Sequence, residues 1–168
     1  MPPTVNIRLF KKADNEDVWT LVQHTIGVSY RPDYSPEVIR FFQDYHPREK
    51  ILDDAANGTI MVAEQGQEIV GTGTIRDAHI RRVFIHPSHQ GQGIGSLIAR
   101  ELEACAVRNG QTTVDLSSAL GSRTFWESRG FYISQEHFTP VGSDLVIHYY
   151  TMTKDLTRPI DNSPTFRV

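Results

Sequence analysis

The stretch Val83-Phe84-Ile85-His86-Pro87-Ser88-His89-Gln90-Gly91-Gln92-Gly93-Ile94-Gly95-Ser96 restricts the possible folds more than any other part of the chain. An apolar β-type run enters a short polar loop, three alternating glycines follow, and a helical pattern starts at once. So short a turn puts the helix N-terminus beside the end of the strand. Backbone N–H groups without helical partners and the positive end of the helix dipole then converge on one point. A diphosphate seated there gains several charge-assisted hydrogen bonds without any lysine. The glycines remove Cβ atoms from the anion's side and let successive N–H groups turn inward.

Spacing separates this loop from other phosphate binders. A P-loop requires Gly-x-x-x-x-Gly-Lys-Ser/Thr, and no lysine follows these glycines. A dinucleotide fingerprint requires Gly-x-Gly-x-x-Gly with an acidic residue about 20 positions on, which is also missing. Beyond the loop, Ile94, Leu97, Ile98, Leu102 and Cys105 recur on one helical face, Asn109-Gly110 is a stop signal, and Thr112 to Ser117 reads as a strand. Strand, helix and strand in this order predict two parallel neighbours joined by a right-handed crossover, with a crevice at their C-terminal ends.

The flanking sequence predicts the other elements. Val5, Ile7 and Leu9 alternate as in a half-buried strand, and Asp14-Asn15-Glu16-Asp17 opens a helix carrying Val18, Leu21, Val22 and Ile26. A turn over Tyr30 to Ser35 leads to a second helix with Val38, Ile39, Phe41 and Phe42. Thr59 to Glu64 and Glu68 to Arg76 form a hairpin across Gln65-Gly66-Gln67, Gly71 and Gly73 marking a close backbone approach or a bulge, and Ala78 to Ile85 extends the sheet. A short helix over Ser122 to Arg129 ends at Gly130, followed by a strand pair, Phe131 to Phe138 and Asp144 to Thr153. The 168 residues suit one domain, placed at 1–156, with 157–168, which contains Pro159 and Pro164, as a loosely held tail.

Composition excludes several function classes. A net charge of −3 with no basic stripe argues against nucleic acid as partner. No apolar run approaches the ~20 residues of a membrane span, and the N-terminus lacks the order of a signal peptide, so no membrane association and a cytoplasmic location are expected. Cys105 is the only cysteine, which rules out an intrachain disulfide, and its helical position suits a core residue. His86 and His89 flank Pro87-Ser88 without a supporting ligand cluster, so no metal is expected.

Gln90, Gly93 and Gly95 match Gln/Arg-x-x-Gly-x-Gly/Ala, and the loop thereby resembles the acetyl-CoA pyrophosphate loop of the GCN5-related N-acetyltransferase (GNAT) superfamily. Three further segments fall in the order that family requires: Ile7-Arg8 before an Asp-led helix, Ser118 to Phe131 against its Ala-Ser-x-x-Ala-x-x-Phe-Tyr-Glu-x-x-Gly-Phe segment, and Tyr150-Thr151-Met152-Thr153-Lys154 as its closing strand. The resemblance implies an α/β (α+β) fold: a mixed, mostly antiparallel sheet, one parallel strand pair splayed to admit CoA, and helices on both faces. It also implies acetyl-CoA as co-substrate and a primary amine, small molecule or protein, as acceptor, attacked directly in a ternary complex. The pantetheine arm would pair with Val83, Phe84 and Ile85, and the diphosphate would rest on Gly91, Gln92, Gly93, Ile94, Gly95 and Ser96. A backbone N–H near Phe84 or Ile85 would polarise the thioester carbonyl.

An alkylamine of pKa about 10.4 is protonated at neutral pH, so transfer requires a base near the thioester. His79 occupies the place where some lysine-acetylating members carry a glutamate, and alternation puts it on the same face as Val83, which makes it the first candidate. Asp115 and Glu64 are weaker ones. Trp126 stands where the family usually has a tyrosine that protonates the leaving thiolate. Indole is no acid, so Tyr132, Ser128 or solvent must do so. The loss of that tyrosine favours one rival reading, a non-catalytic acyl-CoA-binding or regulatory module with the same fold. Tyr30-Arg31-Pro32-Asp33-Tyr34 and Phe41-Phe42 lie in the region that would frame the acceptor, and the last strands allow a homodimer.

Overall fold

The structure, a computed structural model, describes residues 4 to 158 of the 168. The elements run β1 (Val5–Leu9), α1 (Asn15–Ser29), α2 (Pro36–Asp44), α3 (Arg48–Asn57), β2 (Thr59–Gln65), β3 (Glu68–Arg76), β4 (His79–Ile85), α4 (Ile94–Arg108), β5 (Thr113–Ser118), α5 (Arg123–Ser128), β6 (Tyr132–Val141) and β7 (Leu145–Asp155). Seven strands form one sheet in the order β1-β2-β3-β4-β5-β7-β6, antiparallel except at β4-β5. The predicted parallel pair therefore stands at the centre of a mixed sheet. The tail expected over 157–168 lies almost wholly outside the described residues. Among those described, no helix is long and apolar enough to cross a membrane.

Each face of the sheet has its own core. On one, Ile94, Ile98, Ala99, Leu102 and Ala106 of α4 pack on Met61, Ala63, Ile75, Ile80, Val114 and Leu116. On the other, Val18, Val22 and Ile26 of α1 and Ile51 of α3 pack on Ile60, Val62 and Phe84. Alternate strand residues thus supply opposite faces, as period-2 sequences must. Gly71 and Gly73 give α4 its close seat: a Cβ on Gly73 would lie 2.5 Å from Ile98 Cγ2, and one on Gly71 2.8 Å from Ile85 Cδ1.

Sequence reasoning missed one helix, α3. It has a single deeply buried aliphatic residue, Ile51, so its apolar periodicity is weak. Pro47 at its N-cap and Gly58 at its C-cap were the legible signals. The helix matters because it carries Asp54, which is 2% exposed and forms an ion pair with Arg82 of β4.

That pair holds the irregularity that shapes the site. Thr72 faces Phe84 and Thr74 faces Arg81, so two residues, Arg82 and Val83, stand opposite Gly73 alone. This is a β-bulge, and Arg82 adopts φ +50° within it. The inserted residue shifts the alternation. Ile80, Val83 and Ile85 all pack with the α4 core, while Phe84 joins the α1 core. The expectation that His79 shares a face with Val83 is thereby corrected. His79, next to Ile80 and ahead of the bulge, lies on the α1–α3 face.

Candidate active site

Past the bulge, β4 and β5 part. Their parallel pairing is limited to His79 with Asp115 and Ile80 with Leu116. Val83, Phe84 and Ile85 then line an open groove of about 530 Å³ that continues to Gln90, Gly91, Gly93, Ile94, Gly95 and Ser96. The backbone of β4 presents definite groups to this gap. The N–H of His86 is donated to Val70 O of β3 at 2.8 Å, so alternation turns the N–H and C=O of Ile85 and Val83 the other way, to the unpaired edge. The N–H of Phe84, paired with Thr72, faces β3, which leaves Ile85 as the better placed of the two donors expected to polarise a carbonyl.

The glycine turn is open. Gly91 and Gly93 have φ +76° and +84°, and a Cβ on either would meet no atom within 4 Å. Gly93 caps α4, and among the described residues the amides of 91 to 96 have no protein acceptor beyond the helix itself. Gln90 braces the turn, its Nε2 donating to Ile85 O at 3.0 Å and to Ser29 Oγ at 3.1 Å. Gly95 instead abuts Phe125, where a Cβ would sit 3.2 Å from Cζ. An anion-sized cradle thus stands at the mouth of an open sheet edge.

A second cavity, of about 400 Å³, lies on the other side of β4 beneath α2, α3 and the β6–β7 ends. Tyr30, Val83, Phe84, Ser122 and Trp126 line both spaces, so the two meet at the splay. His79 opens into the second cavity, its Nδ1 2.6 Å from Asp115 Oδ1 and its side chain 37% exposed. A carboxylate on Nδ1 fixes the tautomer with its proton there and leaves Nε2 with a lone pair to accept one.

The remaining sequence candidates sit elsewhere. Glu64 is held by Arg8, whose Nε donates to it at 3.1 Å, and it lines neither cavity. Tyr132 is 57% exposed on the outer strand β6 and Ser128 Oγ donates to Phe125 O at 2.6 Å; neither lines a cavity. Ser128 closes α5 and Tyr132 follows it, while Trp126, 5% exposed, takes the inward position against Phe125 and Phe131. Cys105 is buried in the α4 core, as expected.

At this junction His46 was not singled out from sequence, and Tyr30 entered only within the stretch expected to frame the acceptor. Tyr30 is the phenol lining both cavities among the described residues, and burial pushes its hydroxyl well above the usual tyrosine range, so it stays protonated. His46 packs on Phe84 with ring centroids 5.8 Å apart, and Arg82 Nη1 donates to its Nδ1 at 3.4 Å. Burial first, then repulsion from Arg82, Lys50 and Arg81, pushes its pKa down to about 3. An unfolded histidine binds a proton below about pH 6.5, whereas the folded one does so only near its depressed pKa. Stability therefore falls as pH drops through that window, by up to about 1.4 kcal/mol per pH unit. His46→Asn keeps an acceptor for Arg82 and removes the titration. Denaturant unfolding at pH 6.5 and 4.5 should show wild type losing about 1–2 kcal/mol more than this variant; equal losses count against a buried neutral His46.

The glycine-capped helix beside a splayed parallel pair has a direct counterpart. The family model described as acetyltransferase (GNAT) domain matches residues 30–155. The chain belongs to the GNAT acetyltransferase family. Solved GNAT structures share the fold across nearly the whole chain. A GCN5-related N-acetyltransferase from Rhodopseudomonas palustris superposes with TM-score 0.83 at 19% identity, covering 92% of this chain and 98% of that one. PaiA N-acetyltransferase from Thermoplasma acidophilum, in complex with coenzyme A, gives 0.74 at 19% identity, covering 90% and 99%. YncA from Salmonella typhimurium, with its cofactor acetyl-CoA, gives 0.65 at 17% identity, covering 93% and 96%. At these identities the likeness establishes the GNAT fold, and the chemistry of this GNAT domain has to be argued from its own residues.

Proposed function

We propose that this GNAT protein transfers acetyl from acetyl-CoA to a primary amine by direct attack in a ternary complex. The observation that carries the reading is the unpaired edge of β4 running straight into an open, glycine-capped helix start. The amides of 91 to 96 are suited to hold the diphosphate, and Val83 offers its edge N–H and C=O, and Ile85 its N–H, to the amide-bearing pantetheine arm, as an added strand would use them. The Ile85 N–H, fixed by the sheet, donates to the thioester oxygen as negative charge builds there.

His79 Nε2 takes the proton from the acceptor ammonium, and Asp115 stabilises the imidazolium that results. The neutral amine attacks the carbonyl carbon and the C–N bond forms; the nitrogen, now positively charged, releases its second proton to solvent, the C–S bond breaks, and the sulfur leaves as thiolate. Tyr30, protonated and at the junction of both cavities, donates a hydrogen bond to that sulfur, while the proton it finally acquires comes from solvent. A phenol pushed so high holds its proton too tightly to give it to a thiol of pKa ~8.5. Trp126, Tyr132 and Ser128 have no part in the acid step.

The buried indole at the position of the usual acid keeps a second reading in view, a CoA-binding module without turnover. Calorimetric binding of acetyl-CoA is expected under both. Release of free thiol with a panel of primary amines is expected under the first alone, and silence across the panel with intact binding assigns the module.

A further inference from the structure

We infer that the acceptor is a small amine carrying both a large apolar group and a carboxylate, of the type of an aromatic α-amino acid, and that polycationic amines are excluded. This rests on the acetyl-transfer reading above and concerns the second cavity. Its apolar wall is aromatic, with Phe41, Phe42, Tyr45, Phe84 and Tyr149 among the lining residues. Its charged lining has one sign. Lys50, Arg81 and Arg82 line it, beside the neutral His46 and beside His79, and among the described residues no aspartate or glutamate does.

These cations exceed their counterions. Arg76, Arg81 and Arg82 share Asp54, and Arg76 has Asp53 as its second partner at 2.8 Å. Arg81 reaches Asp54 Oδ1 only at 3.4 Å and keeps a buried Nε without a hydrogen-bond partner. Lys50 has no carboxylate within ion-pair distance among the described residues. Its ammonium lies 3.9 Å above the Tyr45 ring and donates to the Tyr45 carbonyl at 3.1 Å. Three cations, Lys50, Arg81 and Arg82, therefore line the cavity with Asp54 as the one carboxylate shared among the arginines, while Asp115 is engaged by His79.

Such a field repels a second ammonium and attracts an anionic group, most strongly where the walls are apolar and water is scarce. It also favours the neutral form of the reacting amine, because nearby positive charge disfavours protonation. A polyamine loses on the first count and gains nothing on the second. A space of about 400 Å³ suits a molecule of amino-acid size rather than a folded protein surface.

Phenylalanine and phenethylamine differ only by the carboxylate, and spermidine supplies the polycation. With acetyl-CoA saturating, kcat/KM for phenylalanine should exceed that for phenethylamine at least tenfold and that for spermidine at least a hundredfold. Lys50→Gln combined with Arg81→Gln should erase most of the first ratio while acetyl-CoA affinity stays within twofold. Phenethylamine or spermidine used as well as phenylalanine, or a ratio that survives the double variant, overturns the inference and leaves acetyl transfer standing. Calorimetry of N-acetylphenylalanine on the CoA-loaded protein provides a readout free of turnover. Binding that the double variant weakens tenfold, with no thiol released from any amine, sustains the recognition and removes acetyl transfer. Neither binding nor phenylalanine turnover overturns the inference outright.

Discussion

Gly93→Val is expected to weaken acetyl-CoA binding about a hundredfold or more while the fold survives. Gly93 holds φ +84°, a conformation that costs an L-residue roughly 1–2 kcal/mol and a β-branched one more. Among the described residues no atom lies within 4 Å of a Cβ there, so the variant can fold. It then meets the ligand in one of two ways. Either the valine keeps the strained angle and its methyls occupy the anion's position, or the turn relaxes and the amides rotate away. Losing one or two hydrogen bonds to a charged acceptor, at about 1.5–3 kcal/mol each, corresponds to the stated factor. Calorimetry with acetyl-CoA checks this, alongside a melting curve. An unchanged Kd removes the diphosphate from this turn.

His79→Ala is expected to lower kcat/KM about a thousandfold at pH 7 and much less at pH 9. Positioned general bases contribute roughly 10²–10⁴, and the pairing with Asp115 at 2.6 Å is the orienting contact such a base needs. Between pH 7 and 9 the free-amine fraction of an acceptor with pKa about 10.4 rises nearly a hundredfold, so a base inside the protein matters progressively less. The pH profile separates this role from a structural one: a loss of equal size at both pH values shows that His79 merely supports the fold. Acetyl-CoA affinity, which the proposed function assigns to the other side of β4, should hold throughout.

Comparison of sequence and structure shows which physical signals are local. The glycine turn, α4 and the strand after it were legible because each has a compact signature: turn residues, a 3.6-residue apolar repeat, a Gly stop. The hairpin across Gly66 was equally plain. The phase of β4 was not, since a bulge depends on a partner strand and on Asp54 of a helix some 30 residues earlier, and nothing in His79 to Ile85 announces the extra residue. Tyr132, offered beside Ser128 and solvent as the source of the thiolate's proton, follows a Gly130 turn that carries it to the outer strand. Tyr30 and His46 lie tens of residues from the glycine turn and reach the site only through packing of α1 and α2 on Phe84. Cavity charge was invisible for the same reason: Lys50, Arg81 and Arg82 become neighbours through tertiary contact.

The bulge at Arg82 also makes β4 behave like a coding message with one extra letter. Substitutions along His79 to Ile85 change one position each. Removing Arg82 would restore even spacing, bring Val83 two places after Ile80 on the α4 side, and leave Phe84 toward α1 and Ile85 toward α4 as they are. The side that each later residue faces therefore survives the loss of Arg82, and such a deletion should cost stability through the buried Asp54 it leaves without this partner rather than through an inverted strand.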